Sequence, residues 1–169
     1  LETVKGKAAK YRAGDVFDLA LAVELTQLGL PPDRIVGVLL SNRYSVAMAA
    51  RMAADSVKKI LTCETTEEES LKVYVYSDPE AMEPLTAASD DEKHEFDQAS
   101  RSFFYGGSGV LHDILARADL MKLRRLSIVN ITAVVFYLAF SLSDEFPDLV
   151  IKWANDVEAR LGEGQYGGN

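Results

Sequence analysis

Between residues 15 and 61 apolar side chains recur every three to four positions, and between 71 and 76 they alternate, so the pattern predicts helices first and a strand after them. Asp15 stands where it can cap a first helix running to about Leu28, with Val16, Leu19, Ala20, Val23 and Leu28 on one broad face that is expected to pack. Gly29 supplies a left-handed stop and Pro31-Pro32 prevent continuation. Pro32 or Asp33 then opens a shorter helix through Ile35, Val36, Leu39 and Leu40, because a first-turn proline is pre-set for helical φ. After "SNRYS", the positions Val46, Ala49, Ala50, Ala53, Val57, Ile60 and Leu61 predict a third helix over 46–61.

The alternation of Leu71, Val73 and Val75 with Lys72, Tyr74 and Tyr76 predicts a half-buried strand. An acidic, proline-punctuated stretch over 79–98 follows, with a short helix capped by Ser89. "RSFFYGG" predicts a second strand stopped by Gly106-Gly107, and Ser108 caps a helix from Val110 to about Ala118 or Leu120. The continuous apolar run 126–142 fits a strand or a buried helix. Divided, it gives a third strand in "RRLSIVNI" and a helix from Thr132 to roughly Ser143, followed by another from Phe146 to Leu161 with a break near Pro147. The expected architecture is α+β: an N-terminal helical part over 1–42, a connecting helix over 43–62, an α/β part with about three strands over 63–161 that serves dimerisation or effector sensing, and a flexible glycine-rich tail over 162–169.

Composition adds polarity to this picture. The net charge is −8, yet residues 1–12 hold Lys5, Lys7, Lys10 and Arg12 against Glu2 alone, a surplus of three positive charges, so the other 157 residues carry −11. A polyanion is therefore met at the N-terminal end. With 48% apolar residues the chain can fill a core, and the single cysteine, Cys63, excludes an internal disulfide and a cysteine-rich zinc site. Cys63 reads as a small hydrophobe at a helix end in a reducing, cytoplasmic setting. No leader is visible, and the longest apolar run is too short and too polar to span a bilayer. The chain opens on Leu1 rather than methionine, which implies further residues ahead of it.

The opening stretch has a family likeness. Tyr11, then Asp15-Val16, a helix with Leu19, Leu25 and Leu28, the turn "LGLPPDRI", and Ile35 with Leu39 resemble the second half of the DNA-binding domain of MerR-type winged-helix transcription regulators, over about residues 5–41. "GKAAKY" stands where the end of the wing would be. The resemblance implies a regulator that binds double-stranded DNA as a homodimer, with backbone contacts from Lys5, Lys7, Lys10, Tyr11 and Arg12. Such contacts position a protein without reading bases. Two departures are large: the first helix-turn-helix is missing from this chain, and 46–61 spans only about two heptads, short of the long pairing helix of many such proteins. Taken alone, four basic residues near a chain end also fit a solvated arm.

Other chemistry is thin. Gly107, Ser108 and Gly109 precede a helix and form a candidate anion or ligand site, but the lysine and spacing of a phosphate loop are absent and a capped turn explains every residue. His94 and His112 have no matched ligand spacing, so no metal site is expected, and Ser108 with His112 lacks a nucleophile elbow, so no catalytic residue is expected either. Lys122, Arg124 and Arg125 read as a solvated loop. The aromatic strands have too little positive charge around them for stacking on RNA. The sequence thus predicts a regulator rather than an enzyme, without cofactor or membrane segment and with a small-molecule or protein effector still unidentified. The alternative is a ligand-sensing or protein-interaction module that never touches DNA.

Overall fold

In the computed structural model, residues 11–30, 32–77, 103–107, 109, 112 and 127–166 are described. They form an α+β fold of five helices and a three-stranded antiparallel sheet, in the order α1 (Ala13–Gln27), α2 (Pro32–Ser41), α3 (Arg43–Leu61), β1 (Val73–Ser77), β2 (Phe103–Gly107), β3 (Ser127–Asn130), α4 (Ile131–Leu142) and α5 (Phe146–Tyr166). The division of 126–142 into strand and helix holds, with the change at Asn130, whose side chain accepts the Ala133 N–H and caps α4. The short helix expected after Ser89 and the cluster Lys122, Arg124 and Arg125 lie outside the described residues.

The first helix begins three residues before the expected start. Arg12 is its N-cap, and Asp15 sits in the first turn with Oδ2 accepting the Arg12 N–H at 2.9 Å, half of a capping box. Its buried stripe is Gly14, Phe17, Leu21 and Leu25, not the predicted one; Leu19 and Val23 face outward at 63% and 51% exposure. The helix is apolar on nearly every side, so periodicity could not choose the face. At its end Gly29 takes φ +88°, with its N–H on the Thr26 carbonyl and the Leu30 N–H on the Leu25 carbonyl. This is a Schellman stop in which the buried Leu30 follows the turn back onto buried Leu25.

α3 is the axle of the molecule. It starts three residues earlier than predicted, directly after Asn42, whose buried Nδ2 donates to the Val38 carbonyl at 2.9 Å and marks the junction with α2. The run Val46–Ala50 is wholly buried, as are Ala53, Ala54 and Val57, because α5, α4 and the sheet all pack against this one helix. Small side chains allow that close approach. Two ion pairs tie α3 to α5, Arg51 to Glu158 at 2.5 Å and Lys58 to Asp148 at 2.7 Å, both open to solvent and largely screened by it.

The sheet order is β2-β1-β3, with Val75 opposite Tyr105 on one side and Val129 on the other. Val73, Val75 and Val129 face the helices, but Tyr76 on the other face is buried as well, so β1 is covered on both sides rather than half-buried. Thr132 joins sheet to helix: its hydroxyl accepts the Val73 N–H at 2.8 Å and donates to the Leu71 carbonyl.

One continuous cluster of buried residues runs from Phe17 in α1 through α2, α3 and the sheet to Val150 in α5. The expected boundaries at 42 and 62 therefore do not separate cores: α1 packs directly on α4 and α5. α5 also runs on to Tyr166, through glycines 162 and 164 that were expected to start the flexible tail.

Candidate nucleic-acid interface

The basic segment joins the body at the head of α1. Lys5, Lys7 and Lys10 lie outside the described residues; Tyr11, 70% exposed, and Arg12, also exposed, lead into the helix. Beside them a groove of about 620 Å³ is lined from α1, from Arg43 at the start of α3, and from one face of α5 carrying Lys152, Trp153, Asp156 and Arg160. Lys152, Asp156 and Arg160 share that face because they are four residues apart on a helix.

Trp153 holds the groove together. Gly14 is buried against its indole so closely that a Cβ at position 14 would lie 2.2 Å from the ring nitrogen. Phe17 packs on the same ring at 5.8 Å between centroids, tilted 44°. On the other side the Arg43 guanidinium carbon sits 4.7 Å from the ring centroid while the same group pairs with Asp18. The Asp18 carboxyl is pushed above its usual range by burial, against the pull of Arg43, and its Oδ1 is buried with no hydrogen-bond partner among the described residues.

The charges lining the groove are Arg12, Arg43, Lys152 and Arg160 against Asp15 and Asp156, a surplus of two positive charges on a chain whose total is −8. Arg43 is engaged by Asp18, but among the described residues neither Lys152 nor Arg160 forms an ion pair. Asp15 is held by the Arg12 backbone rather than by a side-chain cation. The arrangement suits a phosphate chain running past the end of α1. Lys152, Arg160 and Arg43 were not singled out from sequence; the four-residue spacing on α5 was visible there, but not that this face meets the head of α1.

Of the other expected site, only Gly107 and Gly109 are described. Gly107 is the last residue of β2, opposite Val73, so both glycines are paired in the strand that ends at them. Ser108 lies outside the described residues, and Gly109 and His112 are exposed helical positions. Cys63 is exposed, not a small buried hydrophobe: it takes φ +57° just past α3, with its N–H on the Ile60 carbonyl and the Glu64 N–H on Lys59. Among the described residues no group of three or more metal-ligating side chains forms, and no helix is long and apolar enough to cross a membrane. No protein-family model, curated protein or solved structure matches the chain.

Proposed function

We propose that the chain is a cytoplasmic DNA-binding transcription regulator of MerR-like type that acts as a homodimer. It meets duplex phosphates with the basic segment 5–12 and with the groove behind it, where Lys152 and Arg160 extend the same positive strip. The observation that carries the reading is the surplus of cations around the head of α1 in a chain that is otherwise acidic. Contacts of this kind release counterions, so affinity falls with salt at a slope of about −0.9 per neutralised phosphate.

Fluorescence anisotropy of a labelled random-sequence duplex, titrated with the 169-residue chain at several salt concentrations, tests it. Binding at low salt is expected, with a slope that shrinks by about two to three units when Lys5, Lys7 and Lys10 are changed to Gln together. A chain that leaves duplex DNA unbound at low salt, or a slope untouched by the triple change, refutes the reading. The module that never touches DNA then takes its place, and the apolar groove between α1 and α4 is the observation in its favour.

A further inference from the structure

Farther along α1 than the cation groove at its head, α1, β3 and α4 enclose an open groove of about 470 Å³. Its walls are Val23, Val129, Ala133, Val134 and Tyr137, and among the described residues Glu24 is the one charged residue that lines it. Phe140 continues the same outer side of α4 at 87% exposure, Tyr137 is 69% exposed, and Leu19 with Val23 stands outward on α1. We infer that this face is the contact between two copies of the chain, related by a two-fold axis.

Three occupants are conceivable, and the observations separate them. Among the described residues a polyanion finds no cation here, and an acidic chain whose described lining holds no basic residue is ill suited to an anionic lipid surface. β3, which forms part of the groove, is an edge strand, and no other strand among the described residues pairs with its outer side. Such an edge presents N–H and C=O groups that a polypeptide can satisfy and lipid tails cannot. A second copy brings the same edge in antiparallel sense under a two-fold, together with the same apolar ridge, which is what a self-complementary contact requires.

The area is of the right order. Tyr137 and Phe140 leave roughly 250–400 Å² open between them. With Leu19 and Val23 the patch is on the order of 500 Å², the upper end of what a monomer leaves bare, and more than half of the ~800 Å² per partner of a standard interface. The inference needs only the dimeric half of the proposed function and stands without any contact to DNA.

Sedimentation velocity of the full chain from micromolar to submillimolar concentration, with no nucleic acid present, tests it. The wild type is expected to be a dimer. Tyr137→Glu with Phe140→Glu puts four carboxylates across the axis and is expected to weaken the dimer about a hundredfold or more while the circular dichroism spectrum stays that of the folded chain, both positions being largely exposed. In a second chain, Tyr137→Cys with Cys63→Ser is expected to form an intermolecular disulfide under mild oxidation, which a folding defect in the charged variant cannot mimic. A wild type that stays monomeric overturns the inference, as does a dimer that survives the two glutamates, or binding to neutral lipid vesicles by a monomer. Loss of DNA binding with an intact dimer refutes the regulator and leaves this inference standing.

Discussion

Replacing Gly14 by alanine is the sharpest probe of how the groove is built. In an ordinary helix the change stabilises by up to about 1 kcal/mol, because alanine is the better helix former. Here the new methyl would lie 2.2 Å from the Trp153 ring nitrogen and 2.4 Å from the adjacent ring carbon, far inside contact distance, so the indole must move. Moving it weakens the aromatic contact with Phe17, at about 0.5–1.5 kcal/mol, and the guanidinium stacking of Arg43, at about 0.5–2 kcal/mol. The net expectation is a loss of about 1–2 kcal/mol, or roughly 3–8 °C in Tm for a chain of this size. Urea unfolding followed by fluorescence is unusually direct, since Trp153 is the only tryptophan and reports its own displacement. Pairing Gly14→Ala with Trp153→Leu should recover most of the loss relative to Trp153→Leu alone, a coupling expected only of residues in contact. If Gly14→Ala is as stable as the wild type and its emission maximum is unmoved, the packing described at the head of α1 is wrong.

Three further outcomes follow from the same geometry. Gly29→Ala should cost about 1 kcal/mol and Cys63→Gly should stabilise by a similar amount, since both positions are left-handed helix stops and only one holds the residue suited to it; urea midpoints decide, and equal signs refute the assignment. Thr132→Val should cost about 1–3 kcal/mol by leaving the Val73 N–H without the hydroxyl it bonds, with Thr132→Ser recovering much of it in the same assay. Burial raises the Asp18 carboxyl above its usual range, so the folded chain keeps this proton to higher pH than the unfolded chain, whose carboxyl titrates around pH 3.8. Its contribution is therefore present below that pH and lost as pH rises through the raised folded value, so the Tm of the wild type relative to Asp18→Asn should fall from acid towards neutral pH; a difference constant with pH refutes it.

How far the sequence announced this structure differs element by element. The stop at Gly29 was readable because its chemistry is local: a glycine, then prolines, bounded by apolar residues on both sides. The helix after Asn130 was placed only by dividing an apolar run that fits either element, and the capping side chain at the change of period was a signal left unused. What packs on α1 was not readable. Leu19 and Val23 are as apolar as Leu21 and Leu25, and the choice between the stripes is made by Gly14 and Trp153, which lie far apart in the chain and meet only in the fold. Cys63 fails differently, since the backbone there needs a residue that tolerates φ +57° and the side chain is carried out to solvent with it. The candidate interface was half visible. Its basic approach could be counted along the first twelve residues, whereas the contribution of Arg43, Lys152 and Arg160 depends on α5 crossing the head of α1.

The two grooves lie at different positions along α1, one at its head and one past its middle, and under the proposed pairing that separation bears on affinity. If two copies pair through the groove between α1 and α4 as inferred, and the head of each α1 stays open, one dimer would present two cationic strips. The second strip then binds at an effective concentration set by the dimer geometry rather than by bulk protein, which raises avidity by a factor of about 10²–10⁴ when the spacing matches the duplex. Tyr137→Glu with Phe140→Glu should accordingly weaken DNA binding although neither residue lines the cation groove, and the salt slope should fall towards half that of the wild type because each bound unit then neutralises about half as many phosphates. Substitution of Lys152 and Arg160 should lower the slope with the dimer intact. A charged double variant that is monomeric yet retains full affinity and full slope would mean that a single copy makes every phosphate contact, and that pairing serves something other than the duplex.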